Sequence, residues 1–166
     1  MTDSLKAGKA NACEIQPEMK LSLNQYIKKR NGVSMGSSGS LRNNLYRSLG
    51  ARNFATFWNY WNPIFGYYLG KFIFKPLKRI FPVSVSLVLT FTFCGLVHDA
   101  VTTLVRGNIS FFFTTWFLWM SLAVLLTRFL KHNFSTKNWL VRTLINLGII
   151  GICLILTIYT VEEYNF

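Results

Sequence analysis

Three long apolar runs dominate the second half of the chain and predict three membrane-spanning helices. The runs cover residues 83–105, 111–130 and 140–161, and polar or basic residues separate them. The first run alone would form a helix of about 34 Å, which is enough to cross the roughly 30 Å hydrocarbon core of a bilayer. A membrane domain is therefore the first inference from the hydrophobic pattern.

An aromatic-rich segment, residues 53–79, precedes the first run and is too polar and too interrupted for a simple span. Pro63 predicts the start of a helix and Asn62 its N-cap, because proline is common at the first helical position and asparagine at the cap. The helix would cover about residues 63–79, with an apolar stripe on one face, and would lie in the membrane interface or dip into the bilayer as a re-entrant helix. Its Trp and Tyr residues are equally typical of an ordinary aromatic belt.

Residues 1–52 are polar and basic and predict a largely flexible tail on the cytoplasmic side of the membrane. Residues 31–40 are rich in Gly and Ser, which is the composition of a flexible linker. A short helix over about Met19–Arg30 would turn its leucines and Ile27 towards the lipid surface. A solvated basic tail is an equally good interpretation of the same residues.

The composition supports an all-α integral membrane protein whose membrane domain covers residues 53–166. Apolar residues make up 51% of the chain and charged residues only 14%, against about 25% charged in an average soluble domain. The formal net charge is +12, and the basic residues flank the apolar runs. Because such flanks bind anionic lipid headgroups, they explain the charge without nucleic acid as a partner.

The distribution of Lys and Arg predicts the orientation of the spans. Lys71, Lys75, Lys78 and Arg79 precede the first run, and further basic residues surround the loop between the second and third runs. Only Arg106 follows the first run, and no Lys or Arg follows the third. Short basic loops stay in the cytoplasm, so we expect a cytoplasmic N-terminus and a C-terminus outside the cell or in a lumen.

The pair His98-Asp99 is the strongest candidate for chemistry, because ionisable residues inside a span are rare and usually functional. On a helix, His98 shares a face with Gly95 and Thr102, whereas Asp99 is rotated by about 100°. Asp99 is therefore expected to support the site or to pack helices rather than to bind the same imidazole. His98 is either a general base or a histidine that only hydrogen-bonds a neighbouring helix.

Other patterns of catalysis and metal binding do not occur in the sequence. There is no G-x-S-x-G, no H-E-x-x-H, no P-loop and no G-x-G-x-x-G. The cysteines Cys13, Cys94 and Cys153 have no metal-motif spacing and give no disulfide framework. The sequence therefore predicts neither a metal site nor a tightly bound cofactor.

Two sequence elements resemble the catalytic region of the membrane-bound O-acyltransferase family. The first is FWNYWNPIFGYYLGKFIFKPLKR at 57–79, and the second is FTFCGLVHDA at 91–100. Members of that family carry a similar W-N element with a following proline, and then a span that ends in S/C-G-L-x-H. The resemblance covers about residues 54–105 and concerns the C-terminal catalytic part of proteins that are much longer.

The resemblance implies acyl transfer from a thioester donor, such as acyl-CoA, to a hydroxyl of a lipid or glycan acceptor. It places the near-invariant histidine of the family on His98, as the general base, and a second polar residue on Asn62. Asn62 would donate a hydrogen bond to the oxyanion or hold the acceptor, or it would only cap its helix. The competing hypothesis is a non-catalytic small multi-pass subunit or scaffold.

Further residues and partners complete this hypothesis. Three further residues are expected to hold His98 and Asn62 in position rather than to contact the substrate. They are Asp99, Trp58 and Trp61. Basic residues of the aromatic segment are expected to contact the phosphates of the donor or lipid headgroups. These residues are Lys71, Lys75, Lys78 and Arg79. Three spans and one interfacial helix cannot easily enclose a long acyl chain, so the sequence also predicts a homo-oligomer or a larger membrane partner.

Overall fold

The computed structural model describes residues 21–164, and within this range the chain is helical with no strand. The predicted all-α class is therefore confirmed. The helices are α1 (Leu23–Asn31), α2 (Ser40–Leu49), α3 (Phe54–Tyr60), α4 (Pro63–Leu69), α5 (Lys75–Ile80), α6 (Val83–Arg106), α7 (Phe112–Phe129) and α8 (Trp139–Tyr164), and a π-helical turn (Gly70–Phe74) joins α4 to α5. The first part of the predicted basic tail, residues 1–20, lies outside the described residues.

The three apolar runs form α6, α7 and α8, which are long and apolar enough to cross a membrane. Their ends lie within about three residues of the predicted ends, so the prediction of three spans is confirmed. α7 lies in the middle of the bundle, because it packs against α6 on one side and against α8 on the other. α6 and α7 run in opposite directions, because Asp99 contacts Phe113 near the loop that joins the helices and Phe91 contacts Phe117 further from it. The ends of α6 and α7 at Arg106 and Phe112 therefore share one side of the bundle.

The predicted helix over residues 63–79 is a composite of α4, the π-helical turn and α5. Pro76 lacks an amide hydrogen, so it cannot donate to the carbonyl four residues back, and a proline inside a helix usually kinks or breaks it. The π-helical turn lies immediately before this proline, and there the Lys75 amide donates to the Gly70 carbonyl five residues back. The wider turn lets the helix continue through the proline.

The structure corrects the predicted flexible tail, because residues 21–52 contain two helices that pack against the rest of the protein. α1 starts at Leu23 rather than near Met19, after a capping box between Ser22 and Gln25. The predicted lipid-facing orientation of Ile27 is wrong. This side chain is only 2% exposed, because α1 packs against α4, α2 and α3 with that face inward.

The Gly/Ser-rich segment 31–40 forms turns that hold the ends of α1 and α2 together. The Asn31 amide donates to the Ser40 carbonyl at 3.0 Å and to the Ser40 hydroxyl at 2.7 Å. Gly36 and Gly39 adopt left-handed backbone conformations with φ of 76° and 77°, which glycine takes at no steric cost. The segment predicted to be a flexible linker is therefore a series of turns whose two ends are hydrogen-bonded to each other.

α2 is tied to the first turns of α8, across the predicted domain boundary at residue 52. The Asn146 amide donates to the carbonyls of Leu49 and Ala51, both at 3.0 Å. The Trp139 indole donates to the Tyr46 carbonyl at 2.9 Å and stacks on the Tyr46 ring. The described part of the tail thus belongs to the same packed body as the spans.

α3 places its phenylalanines in the centre of the molecule. Phe54 and Phe57 are 1% and 2% exposed, and they contribute to a buried cluster with side chains of all three spans. The span residues of this cluster are Leu87, Met120, Val124 and Cys153. This packing fixes the position of the aromatic segment against α6 and α7, which is where the candidate site lies.

Candidate active site

A cavity of about 220 Å³ lies between α3, the composite helix, α6 and α7. One face of α6 forms a long wall, because residues at helical spacing between Leu87 and His98 line it over about 16 Å. Trp61 and Asn62 line the cavity from the α3–α4 junction. The fold therefore brings His98 and Asn62 to one cavity, although 36 positions separate them in the sequence.

The ring of His98 is held in one tautomer. Its Nδ1 lies 2.8 Å from the Cys94 carbonyl oxygen, one turn earlier in α6. Because a carbonyl oxygen only accepts, Nδ1 must carry the proton and donate. In the neutral ring the Nε2 lone pair is then available, and Nε2 makes no hydrogen bond to another described residue. This is the arrangement that a general base requires.

Aromatic side chains surround the imidazole. The His98 ring centroid lies 5.2 Å from that of Phe117, 5.6 Å from that of Phe113 and 6.2 Å from that of Phe65. Phe113 and Phe117 belong to α7, and Phe65 belongs to α4. Side chains of α4 and α7, together with the hydrogen bond to the Cys94 carbonyl, thus fix the position of the ring.

Asp99 lies at the α6–α7 junction and is not part of the cavity wall. This residue is 4% exposed. Its carboxylate accepts hydrogen bonds from the Phe113 amide at 2.9 Å, the Thr114 amide at 2.7 Å and the Thr114 hydroxyl at 2.6 Å. These amides belong to the first turn of α7, whose N–H groups have no partner inside the helix. Asp99 therefore caps α7 from the neighbouring helix.

Gly95 allows α6 and α7 to approach each other closely at the same junction. A Cβ atom at this position would lie 2.5 Å from the Thr114 Cα atom and 2.8 Å from the Phe113 carbonyl oxygen. Because both contacts are with backbone atoms, no side-chain rotation could relieve them. Gly95 and Asp99 thus hold together the two helices that carry His98 and its aromatic neighbours.

Asn62 caps α4, as predicted, and Pro63 occupies the first position of that helix. The Asn62 side-chain oxygen accepts from the Phe65 amide at 3.2 Å, and the residue adopts a left-handed backbone with φ of 41°. Its NH₂ group makes no hydrogen bond to any described residue, and Asn62 is solvent-exposed. The cap therefore uses the oxygen and leaves the NH₂ group available, and Asn62 lines both this cavity and a neighbouring groove between α2 and α4.

The two predicted supporting tryptophans both line the cavity. Trp58 packs edge-on against Phe91 of α6, with ring centroids 5.1 Å apart, and its indole nitrogen is buried without a hydrogen-bond partner among the described residues. Trp61 stacks on Phe57 at 5.4 Å and is 40% exposed. Trp58 thus forms an inner wall and Trp61 the rim.

The predicted basic group does not line the cavity. Lys71 belongs to the π-helical turn, and its ammonium lies over the rings of Tyr67 and Phe72 at 5.7 Å and 5.4 Å. The remaining members of the group belong to α5. They are Lys75, Lys78 and Arg79. The cationic side chains that do line the cavity are Arg30 of α1 and Arg128 of α7.

Sequence reasoning missed Arg30 and Arg128, because neither lies near the histidine motif in the chain. Arg128 lies 11 residues after Phe117 on α7, which places it about 16 Å along the helix from the residues around His98. Arg30 reaches the cavity because α1 folds back onto α4. Tyr26, one turn before Arg30, also lines the cavity and contacts the Tyr67 ring at 5.4 Å.

The site thus combines an imidazole with a free acceptor nitrogen, an amide with a free donor group, apolar aromatic walls and two arginine side chains. Within residues 21–164, no group of three His, Cys, Asp or Glu side chains is arranged to hold a metal ion. No family model, curated protein or solved structure matches the chain. The interpretation of the site therefore depends on its own geometry and chemistry.

Proposed function

We propose that this protein is a membrane-embedded O-acyltransferase that moves an acyl group from a thioester donor, such as acyl-CoA, to a hydroxyl of a lipid or glycan. His98 is the general base that removes the proton from the acceptor hydroxyl as it attacks the thioester carbonyl. The C–S bond of the donor then breaks, and the departing thiolate takes the proton from Nε2 of His98 to leave as the free thiol. Asn62 donates a hydrogen bond to the oxyanion or to the acceptor. The sequence resemblance to membrane-bound O-acyltransferases supports the same assignment of both residues.

The observation that carries the proposal is the shared cavity of His98 and Asn62. Nδ1 of His98 is engaged by the Cys94 carbonyl, so Nε2 is the nitrogen that can accept a proton. The amide oxygen of Asn62 is engaged by the cap of α4, so its NH₂ group is the part that can stabilise negative charge. Each residue therefore presents the functional group that its proposed role needs.

The rest of the cavity supports an amphiphilic donor. The walls near His98 are aromatic and suit the acyl end, whereas Arg30 and Arg128 line the cavity as cations. Guanidinium groups bind phosphate oxygens in bidentate geometry. In this proposal the acyl group of the donor lies beside His98, and its phosphates lie towards the arginines or towards the basic residues of α5.

The size of the cavity supports a further partner. Pockets for drug-sized ligands usually measure about 300–1,000 Å³, and this cavity is smaller, at about 220 Å³. A second copy of the chain or a larger membrane protein would complete the walls around a long acyl chain. The membrane-embedded surface that such a partner would cover is available, because most residues of the three spans are not buried within the chain.

Substitutions of His98 test the proposed base. We expect His98→Ala to lower acyl transfer by about 10²–10⁴-fold, since this is the usual effect of losing a general base. His98→Gln keeps hydrogen bonding but cannot accept a proton at neutral pH, so it should be nearly as inactive. The measurement is lipid and glycan mass spectrometry of cells with each variant, with membrane insertion verified. Full activity of a stable His98→Ala protein would overturn the proposal.

Substitutions of Asn62 separate catalysis from capping. Asn62→Asp keeps the N-cap, because aspartate is as good a cap as asparagine, but it removes the NH₂ donor. We expect Asn62→Asp to lower transfer by roughly 10²–10³-fold, as for the loss of an oxyanion donor, with little change in thermal stability. If Asn62→Asp is as active as the parent protein, Asn62 only caps α4.

A non-catalytic membrane subunit or scaffold is the second candidate function. The small cavity supports it, because the chain alone does not enclose a space for a complete acyl donor. In that case the His98 and Asn62 variants should leave the lipid and glycan profile unchanged, while deletion of the whole protein changes the amount or activity of a partner enzyme. The same mass spectrometry therefore distinguishes the two candidates.

A further inference from the structure

An exposed apolar surface extends over α2, the α1–α2 turn and the composite helix, outside the three spans. Leu41 is 72% exposed and Phe72 is 59% exposed. The members of this α2–α4 surface are Met35, Leu41, Leu45, Ile64, Tyr68 and Phe72. Such contiguous apolar exposure marks an interaction surface.

The two halves of the α2–α4 surface are continuous. Leu41 and Leu45 of α2 line one side of a groove, and Ile64 of α4 lines the other. Ile64, Tyr68 and Phe72 follow at intervals of four residues along the composite helix, and the Tyr68 and Phe72 rings stack at 6.1 Å. A stripe of this kind forms one ridge of a helix, so the groove opens onto an apolar ridge.

α2 presents leucines outward and polar groups inward. The Asn44 amide donates to the Tyr60 carbonyl at 2.7 Å, and Ser48 is fully buried. Leu41 and Leu45, one turn apart, face outward. In water this arrangement would leave apolar area exposed, at a free-energy cost that grows with that area. Beside hydrocarbon the same arrangement is favourable.

The position of α2 places the surface beside the membrane-spanning bundle. The carbonyls at the end of α2 bind Asn146, which lies seven residues, or about 10 Å, inside α8. Tyr46 of α2 stacks on Trp139 at the start of α8, with ring centroids 5.2 Å apart. Tyr and Trp prefer the boundary between headgroups and acyl chains, and this is the location that the Tyr46–Trp139 pair favours for α2.

The groove has both apolar and polar lining residues, as a binding site for an amphiphilic molecule requires. Its walls carry Leu41, Leu45 and Ile64, and its lining also includes the amides Asn44 and Asn62. Arg42 and Arg47 are exposed on α2, and basic side chains at this level attract anionic headgroups. A hydrocarbon chain fits the apolar walls, and a polar headgroup fits the amides of the lining. Arg42 lies outside the lining and adds an exposed positive charge on α2.

We propose that the α2–α4 surface binds membrane phospholipid, with one acyl chain in the groove between α2 and α4. α2 is then an interfacial helix that anchors the N-terminal part of the protein in the leaflet on the side where α6 begins. This inference goes beyond the proposed acyl transfer and does not depend on it, because the apolar side chains that anchor the surface have no role in the proposed chemistry. Asn62 lines both the groove and the candidate active-site cavity, so the test uses other residues.

Spin labelling of the full chain in phosphatidylcholine–phosphatidylglycerol vesicles tests the proposal. A nitroxide is attached to a cysteine introduced by Leu41→Cys, Leu45→Cys or Phe72→Cys, in a Cys13→Ser background, and Lys28→Cys on the exposed side of α1 serves as the control. We expect oxygen, which is concentrated in hydrocarbon, to relax the first three labels at least several-fold more than a water-soluble nickel complex does. The control label should show the reverse.

Each other outcome contradicts the proposal in a distinct way. If labels at Leu41 and Leu45 respond to nickel as the Lys28 label does, this surface faces water. If neither reagent reaches them, a second copy or another protein covers the surface instead of lipid.

Lipid retention gives a second measurement that does not require labels. The Leu41→Gln/Leu45→Gln double variant should lose phospholipid that the parent retains through detergent purification, as counted by native mass spectrometry, whereas Arg42→Gln should retain the acyl-chain contact and lose less. Unchanged retention in a folded double variant would overturn the groove site.

Discussion

Asp99 and His98 are adjacent in the chain but serve different helices, because consecutive helical positions point about 100° apart. His98 lines the cavity, whereas Asp99 accepts three hydrogen bonds from the first turn of α7. The cap holds α7 in register with α6 and so holds Phe113 and Phe117 against the imidazole. Asp99 therefore positions the site without touching the cavity.

The capping role of Asp99 predicts the effect of its removal. Asp99→Ala leaves buried amides of α7 without a partner, which should cost about 1–3 kcal/mol and lower the thermal unfolding midpoint in detergent. Asp99→Asn keeps an acceptor oxygen and should lower it less. Circular dichroism melting of the purified variants gives both values. Equal stability of Asp99→Ala and the parent would contradict the cap.

Element packing between α6 and α7 depends on the absence of a side chain at Gly95. This pair of helices forms the most extensive contact in the described structure, and at Gly95 the backbone of α7 lies within 3 Å of the place that a Cβ atom would occupy. Small residues allow such close approach between membrane helices, where van der Waals packing and hydrogen bonds replace the hydrophobic effect.

A comparison of two glycine variants tests this packing. Gly95→Ala places a methyl group against the Thr114 backbone and should destabilise the protein by about 1–3 kcal/mol, as overpacking does. Gly148→Ala on α8 is the matched control, because nothing lies within 4 Å of its added Cβ, and it should leave stability unchanged or slightly higher. If both variants melt at the same temperature, α6 and α7 are not in close contact at Gly95.

At the scale of the whole molecule, the basic loops predict the orientation of the bundle across the membrane. A reporter that is active only in the cytoplasm should be active when inserted near Lys137, between the second and third spans, and silent when fused after Phe166. The physical reason is the retention of short Lys- and Arg-rich loops in the cytoplasm. An active C-terminal fusion would contradict the predicted orientation, and with it the placement of His98 in the half of α6 that faces away from the cytoplasm.

The hydrophobic pattern was sufficient to predict the three spans, but it predicted neither α3 nor the π-helical turn within the composite helix. A predominantly apolar segment of about twenty residues forms a helix in a bilayer, because a helix satisfies every backbone hydrogen bond within the segment. The cap of α4 was equally local, since Asn62 and Pro63 suit adjacent positions at a helix start. His98 could also be identified from the local sequence, because it is an ionisable residue inside a long apolar run.

Only the tertiary structure decided how the N-terminal part packs and what surrounds His98. α2 is held by Asn146 and Trp139, and Arg30 reaches the cavity through the packing of α1 on α4. The contacts of α2 with α8 join residues more than ninety positions apart, and α1 and α4 are more than thirty positions apart, so neither helical periodicity nor composition reports them. Local patterns record hydrogen bonds and burial within one element, whereas the cavity, the cap by Asp99 and the apolar surface of α2 exist only where separate elements meet.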